Sequence, residues 1–187
     1  MTDAPAPERG DSALLVPIPE AETLIGDLRL EHDEVTALGI PAHVTVLFPF
    51  ISASQIDASA HDALSGLLAG IPTFAYRFER AGRFDDTTVF LAPEPASAFS
   101  ALTSAVTRRW PEYQPYGGAY AEVIPHLTVG NGLGDGVVDD LHQVVADRLS
   151  SRGPVTGRAS QVWLMTEGAE GRWAVTATYP LGAGDQP

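Results

Sequence analysis

The 187-residue chain contains no cysteine. That excludes a disulfide framework, a zinc–thiolate centre and a thiol nucleophile. It also contains no lysine. All 11 basic residues are arginine, set against 24 Asp and Glu, and the formal net charge is −13. So acidic a chain repels polyanions at long range. Long RNA or DNA is therefore disfavoured as a tight partner, while a small phosphorylated ligand in a local pocket is not. No apolar run reaches the roughly 20 residues of a membrane span. The Pro/Ala/Glu-rich start lacks the basic and apolar regions of a secretory signal. The resulting expectation is a soluble cytoplasmic protein with no membrane association, residues 1–11 forming a disordered lead and residues 183–187 a tail. A P-loop is also lacking, because the glycine-rich run Gly130–Gly136 has no Lys-Ser/Thr ending. It reads as a flexible turn.

What the chain does have is apolar content, 44% of residues, enough for a substantial core. Strands are expected at Leu14–Pro17, Ala42–Phe48, Phe74–Arg80 and Val89–Leu91, with a closing hairpin of Gln161–Thr166 and Trp173–Tyr179. Helices are expected from Pro19 towards Leu38, over Ser52–Ala69, from Pro95 to Trp110 and from about Val137, each with apolar residues at helical spacing. Gly39, Gly70 and Gly153 stand where three of them stop. Trp110, Trp163 and Trp173 read as core. His32, His61 and His142 fall on helices and are expected to face solvent.

Two strings carry the chemistry: Ile-Pro-Ala-His43-Val-Thr45 and Ile-Pro-His126-Leu-Thr128. A strand alternates its faces with period two, so a His and a Thr two residues apart point the same way. One such step carries little, since Thr is simply a good strand former. Two, each after an Ile-Pro pair and 83 residues apart, carry much more. The order helix, His-x-Thr strand, helix, hairpin also occurs once before Pro95 and once after it. That repeat implies two α+β lobes, roughly residues 12–95 and 96–182 of one domain spanning 12–182, with a pseudo-twofold cleft between them.

Two opposed imidazoles suit the hydrolysis of a cyclic phosphodiester. Free histidine titrates near ~6.5, so one ring can take a proton from water while the other gives one to the leaving oxygen. The Thr45 and Thr128 hydroxyls can donate to the non-bridging oxygens. His43, Thr45, His126 and Thr128 are the catalytic candidates, and the scheme requires neither metal nor cofactor. Arg29 is a candidate for substrate binding, because a guanidinium fork fits phosphate, or else a surface helix residue. Tyr116 and Tyr120, in the loop before His126, are candidates to stack on a base or to anchor the loop, with Tyr120 taken as the binding residue. Asp33 reads as an ordinary helical carboxylate or as one that orients a histidine.

The paired motifs, with the neighbouring strings Pro125-His126-Leu-Thr-Val129 and Gly82-Arg83-Phe84, resemble the 2H phosphoesterase superfamily. That group includes bacterial RNA 2′,3′-cyclic phosphodiesterases, often labelled 2′-5′ RNA ligases. The strings Leu28-Arg29, Asp33, Gly39 and His43-Val-Thr-Val-Leu-Phe-Pro-Phe50 are similar to an actinobacterial-type branch. The resemblance spans about Leu14 to Leu181. It implies an α+β, bilobal fold of two pseudo-symmetric antiparallel sheets with outer helices around a central cleft, and metal-independent phosphodiester chemistry. Many RNA-acting relatives carry a basic residue two positions after the first Thr and an Arg three positions after the second. Leu47 and Asn131 stand there in this chain. The expected substrate is accordingly a small nucleotide-like cyclic phosphate. The alternatives are 2′-5′ joining of RNA termini, or a nucleotide-binding module with little catalysis. Oligomeric state is not legible.

Overall fold

The computed structural model describes residues 11–134 and 136–182. The expected lead, apart from residue 11, and the expected tail lie outside the described residues, as does Asp135 within the expected glycine-rich turn.

Among the described residues, eight strands form two four-stranded antiparallel sheets. The first has the order β2-β1-β7-β8, made of β1 (Ser12–Pro17), β2 (His43–Leu47), β7 (Gln161–Glu167) and β8 (Trp173–Pro180). The second has the order β5-β4-β3-β6, made of β3 (Phe74–Phe84), β4 (Thr88–Glu94), β5 (Leu127–Gly130) and β6 (Val155–Ala159). The helices are α1 (Glu22–His32), the single turn α2 (Glu34–Ala37), α3 (Ala58–Ala69), α4 (Ala96–Arg109) and α5 (Val137–Arg152).

The repeat is visible as two strand–helix–strand units, β1-α1-β2 and β4-α4-β5. In each, the last strand is the outer strand of its sheet and belongs to a His-x-Thr string. The units are crossed: α1 packs on β5 and α4 packs on β2, and the two outer strands also touch each other. Each histidine strand is thus backed by the helix of the other unit. The expected division at residue 95 needs correction at the level of the sheets. β3 and β4 come from the first half of the chain but pair with each other and with β6 and β5, while β7 returns to pair with β1. Local periodicity reports which face of a strand is apolar but not which strand it will pair with, and long-range packing decides the partner.

The core lies between sheets and helices. α1 contributes Leu24, Ile25 and Leu28, α4 contributes Phe99, Leu102 and Val106, and α5 contributes Val138, Leu141, Val145 and Leu149, all buried. Three features differ from expectation for identifiable reasons. The helix from Pro19 stops at Asp33, whose backbone is extended and whose carboxylate is bound by Arg29. The helix expected from Ser52 begins as α3 at Ala58, because Asp57 caps it by accepting the Ala60 N–H at 2.8 Å. β6 is an addition to the expected strands; only Val155 and Ala159 of its five residues are buried, too weak an alternation to register. The turn into β2 requires glycine at Gly39, which has φ +101° and lies against the Trp173 carbonyl.

Candidate active site

His43 opens β2, and its cross-strand partner is Pro17, as Leu15 is for Thr45. Val44 and Val46 are buried while His43 and Thr45 are half-buried, so the alternation that fills the core also turns both polar side chains away from it. The second string repeats this, with Leu127 and Val129 fully buried and His126 and Thr128 half-buried. His126 sits one residue ahead of β5 rather than inside it, following a proline that has no N–H to give a ladder.

The two imidazoles are held in the same way. Nδ1 of His43 lies 2.7 Å from the Pro41 carbonyl, and Nδ1 of His126 lies 2.7 Å from the Ile124 carbonyl, in each case two residues upstream. A carbonyl only accepts, so both Nδ1 atoms carry the proton. Both neutral rings therefore expose an unprotonated Nε2. The His126 ring is set edge-on to Phe84, centroids 4.9 Å apart, and is flanked by Phe90 at 5.5 Å. Phe84 and Phe90 stack at 4.2 Å. The Phe90 ring fits only because Gly82 has no Cβ: one built there would lie 2.5 Å from the ring.

Electrostatics keep both rings neutral. His43 is pushed down to about 4, first by burial, then by the Arg29 charge; the Pro41 hydrogen bond opposes this, and His126 adds a smaller repulsion. His126 is also lowered, by burial, against the Ile124 hydrogen bond. The two histidine strands touch, and the charge of His126 acts on His43. A bound phosphate anion would reverse these shifts by favouring the protonated ring.

The remaining candidates separate. Arg29 is neither on the surface nor lining a cleft. It is 0% exposed and lies behind both histidine strings, with Nε donating to the Thr128 carbonyl at 3.1 Å and Nη2 to Asp33 at 2.9 Å. An apolar stripe and a charged residue on one helix say nothing about a second helix face buried against the opposite sheet, which is what α1 has. Asp33 is correspondingly a buried partner of Arg29 rather than an ordinary helical carboxylate. Tyr120 is 53% exposed and lines a groove of about 390 Å³ beside α4, with Ser100, Thr103 and Thr107. The loop residue that touches the motif is Tyr116, whose hydroxyl hydrogen-bonds to Thr45 and whose N–H donates to the Phe48 carbonyl at 2.6 Å. Its left-handed φ of +53° is uncommon for a non-glycine residue, and only the folded loop reveals it. Tyr120 packs edge-on against Tyr116 at 5.6 Å.

Neither of the two positions where the resemblance implies a cation in many RNA-acting members holds one. Leu47 is fully buried, and Asn131 accepts a hydrogen bond from Thr88 at 2.8 Å. His61, expected in solvent, is half-buried with Nδ1 2.5 Å from the Tyr179 hydroxyl. Among the described residues no three His, Asp or Glu side chains converge as a metal-holding group, and no helix is long and apolar enough to cross a membrane.

Comparison with known proteins gives a consistent result. The sequence model of the 2′-5′ RNA ligase superfamily matches residues 16–170. Among solved structures, E. coli LigT in its apo form superposes with a TM-score of 0.59 at 18% identity, covering 94% of this chain and 99% of that one. A protein described as a phosphoesterase gives 0.57 at 17%, covering 92% and 99%. A Thermus thermophilus protein, TT0787, gives 0.55 at 15%, covering 94% and 100%. At such identities the likeness is one of fold, that of LigT. E. coli LigT has been crystallised with NADP+ and with 3′-AMP. No curated protein matches the chain.

Proposed function

The chain belongs to the 2′-5′ RNA ligase superfamily, and from that premise we propose that it is a cyclic phosphodiesterase that opens a small, nucleotide-like 2′,3′-cyclic phosphate by two-histidine acid/base catalysis. The observation that carries the reading is the matched pair of imidazoles, each tied at Nδ1 to a main-chain carbonyl two residues upstream and so left with a free Nε2, on strands that touch each other. In the reaction a neutral ring takes the proton of the attacking water. The other, protonated as the anionic substrate binds, gives its proton to the leaving ribose oxygen. Thr45 and Thr128, on the same faces, donate to the non-bridging oxygens. Each positioned proton-transfer group contributes about 10²–10⁴ in rate.

The small substrate is favoured by three observations. The chain carries a charge of −13. Leu47 and Asn131 replace cations that would neutralise further phosphates. E. coli LigT, of the same fold, has been crystallised with 3′-AMP and NADP+, ligands of nucleotide size. The test is turnover of cyclic nucleotide and cyclic ribose phosphate substrates by the wild type, His43→Ala, His126→Ala and the double variant. Each single loss is expected to cost at least about 10²-fold in kcat, with a bell-shaped pH profile in the wild type. Full turnover by either single variant would refute the two-histidine scheme.

A further inference from the structure

α1 carries a charge that its own helix does not need. Arg29 is completely buried, and taking a guanidinium out of water is expensive unless its hydrogen bonds are made elsewhere. Here they are made to the two segments that bear the histidines. Nε donates to the Thr128 carbonyl, two residues after His126, at 3.1 Å, and Nη2 to the Ile40 carbonyl, three residues before His43, at 3.4 Å. Asp33, one helical turn on, takes the other Nη2 bond at 2.9 Å. Nη1 is buried with no hydrogen-bond partner. The Glu22 oxygen 3.9 Å from it is already accepting the Ala42 N–H at 2.7 Å. The guanidinium charge acts on His43, disfavouring its protonated form.

We propose that Arg29 is a positioning residue for the histidine pair: from behind the sheets it joins the two histidine segments through their main-chain carbonyls, and its charge bears on His43 and not on His126. The difference follows from what surrounds each ring. The charge of Arg29 acts on His43, as does that of His126 from the opposite sheet; Glu22 and Asp33 lie beside Arg29, on and next to α1, and the Tyr116 hydroxyl is at the neighbouring Thr45. His126 is flanked by Phe84 and Phe90, and burial lowers its proton affinity against the Ile124 hydrogen bond. That the pair is catalytic rests on the phosphodiesterase reading; the tether and the charge acting on His43 do not.

The experiment is a ¹⁵N-edited NMR titration of both imidazoles in the unliganded full chain, for the wild type, Arg29→Gln, Arg29→Lys and Asp33→Asn. Removing the cation in Arg29→Gln is expected to raise the proton affinity of His43 roughly tenfold while His126 stays within about twofold. Arg29→Lys, which keeps the charge, should leave His43 near the wild type. Asp33→Asn, which strips the cation of its partner, should lower His43. Opposite movements from the two ends of one ion pair are not produced by a merely structural role. An unmoved His43, movement in the same direction in Arg29→Gln and Asp33→Asn, or equal movement of His126 would overturn the proposal. Should Arg29→Gln fail to fold, the Asp33→Asn and Arg29→Lys titrations decide it alone. Because these titrations need no substrate, they fail or succeed independently of the turnover assay.

Discussion

Substituting His43 by glutamine removes a titrating group that the fold holds neutral, and the pH dependence of stability should report it. An unfolded histidine titrates near 6.5, whereas His43 in the folded chain is lowered to about 4. Each tenfold change in proton affinity corresponds to about 1.4 kcal/mol, so protonating His43 inside the fold costs on the order of 3 kcal/mol. The direction follows from linkage. Above pH 6.5 the ring is neutral in both states and adds no slope. Between 6.5 and 4 the unfolded chain takes up a proton that the native chain refuses, so stability falls as pH falls. Below about 4 both states are protonated and the loss is complete. His126, also lowered, acts in the same direction, while Asp33, raised by burial, acts in the opposite one. Subtracting the His43→Gln curve from the wild type isolates the term. Urea unfolding followed by tryptophan fluorescence, at half-unit steps from pH 4 to 7.5, should show the wild-type advantage over the variant growing by about 3 kcal/mol towards neutral pH. A difference constant to within about 0.5 kcal/mol across that range would mean that His43 is not held neutral, and the proton inventory of the proposed mechanism would go with it.

Two further substitutions separate the site from its scaffold. Gly82→Ala puts a methyl group about 2.5 Å from the Phe90 ring, which flanks His126. Overpacking should cost about 1–3 kcal/mol in thermal unfolding and lower turnover as His126 is displaced; an unchanged melting temperature would show that the ring gives way freely. Asp57→Ala removes the α3 cap, which accepts the Ala60 N–H at 2.8 Å. It should cost about 1 kcal/mol with turnover per folded molecule unchanged, and a loss of kcat would tie α3 to the site.

Much of the local structure is written in residue order. The apolar stripes of α4 and α5 and the closing hairpin fall where periodicity places them, because a 3.6-residue or two-residue repeat is a local property. Phe74, Tyr76 and Phe78 mark a strand in the same way, although β3 runs on to Phe84, its far end masked by Arg80, Gly82 and Arg83. The two His-x-Thr strings are legible for the same reason, since alternation alone sends His43 with Thr45, and His126 with Thr128, away from Val44 and Leu127. Arg29 is not legible in its place, nor is Asp33. Their burial depends on α1 crossing to β5, a contact 99 residues away in the chain for the Arg29–Thr128 hydrogen bond. Tyr116 is a similar case. Nothing in Pro115-Tyr-Gly-Gly118 announces a left-handed tyrosine whose hydroxyl reaches Thr45.

By itself, then, the order of residues determined which side chains leave each strand on its open face, and so which chemistry this protein has to offer. Which helix stands behind each histidine strand, and how deeply Arg29 and Asp33 are buried there, were decided only by the tertiary structure. The reason is physical. Side-chain direction along a strand is set by the pleat, a property of neighbouring residues. Strand partners, crossed helices and the depth of a buried charge are set by packing between segments far apart in the chain.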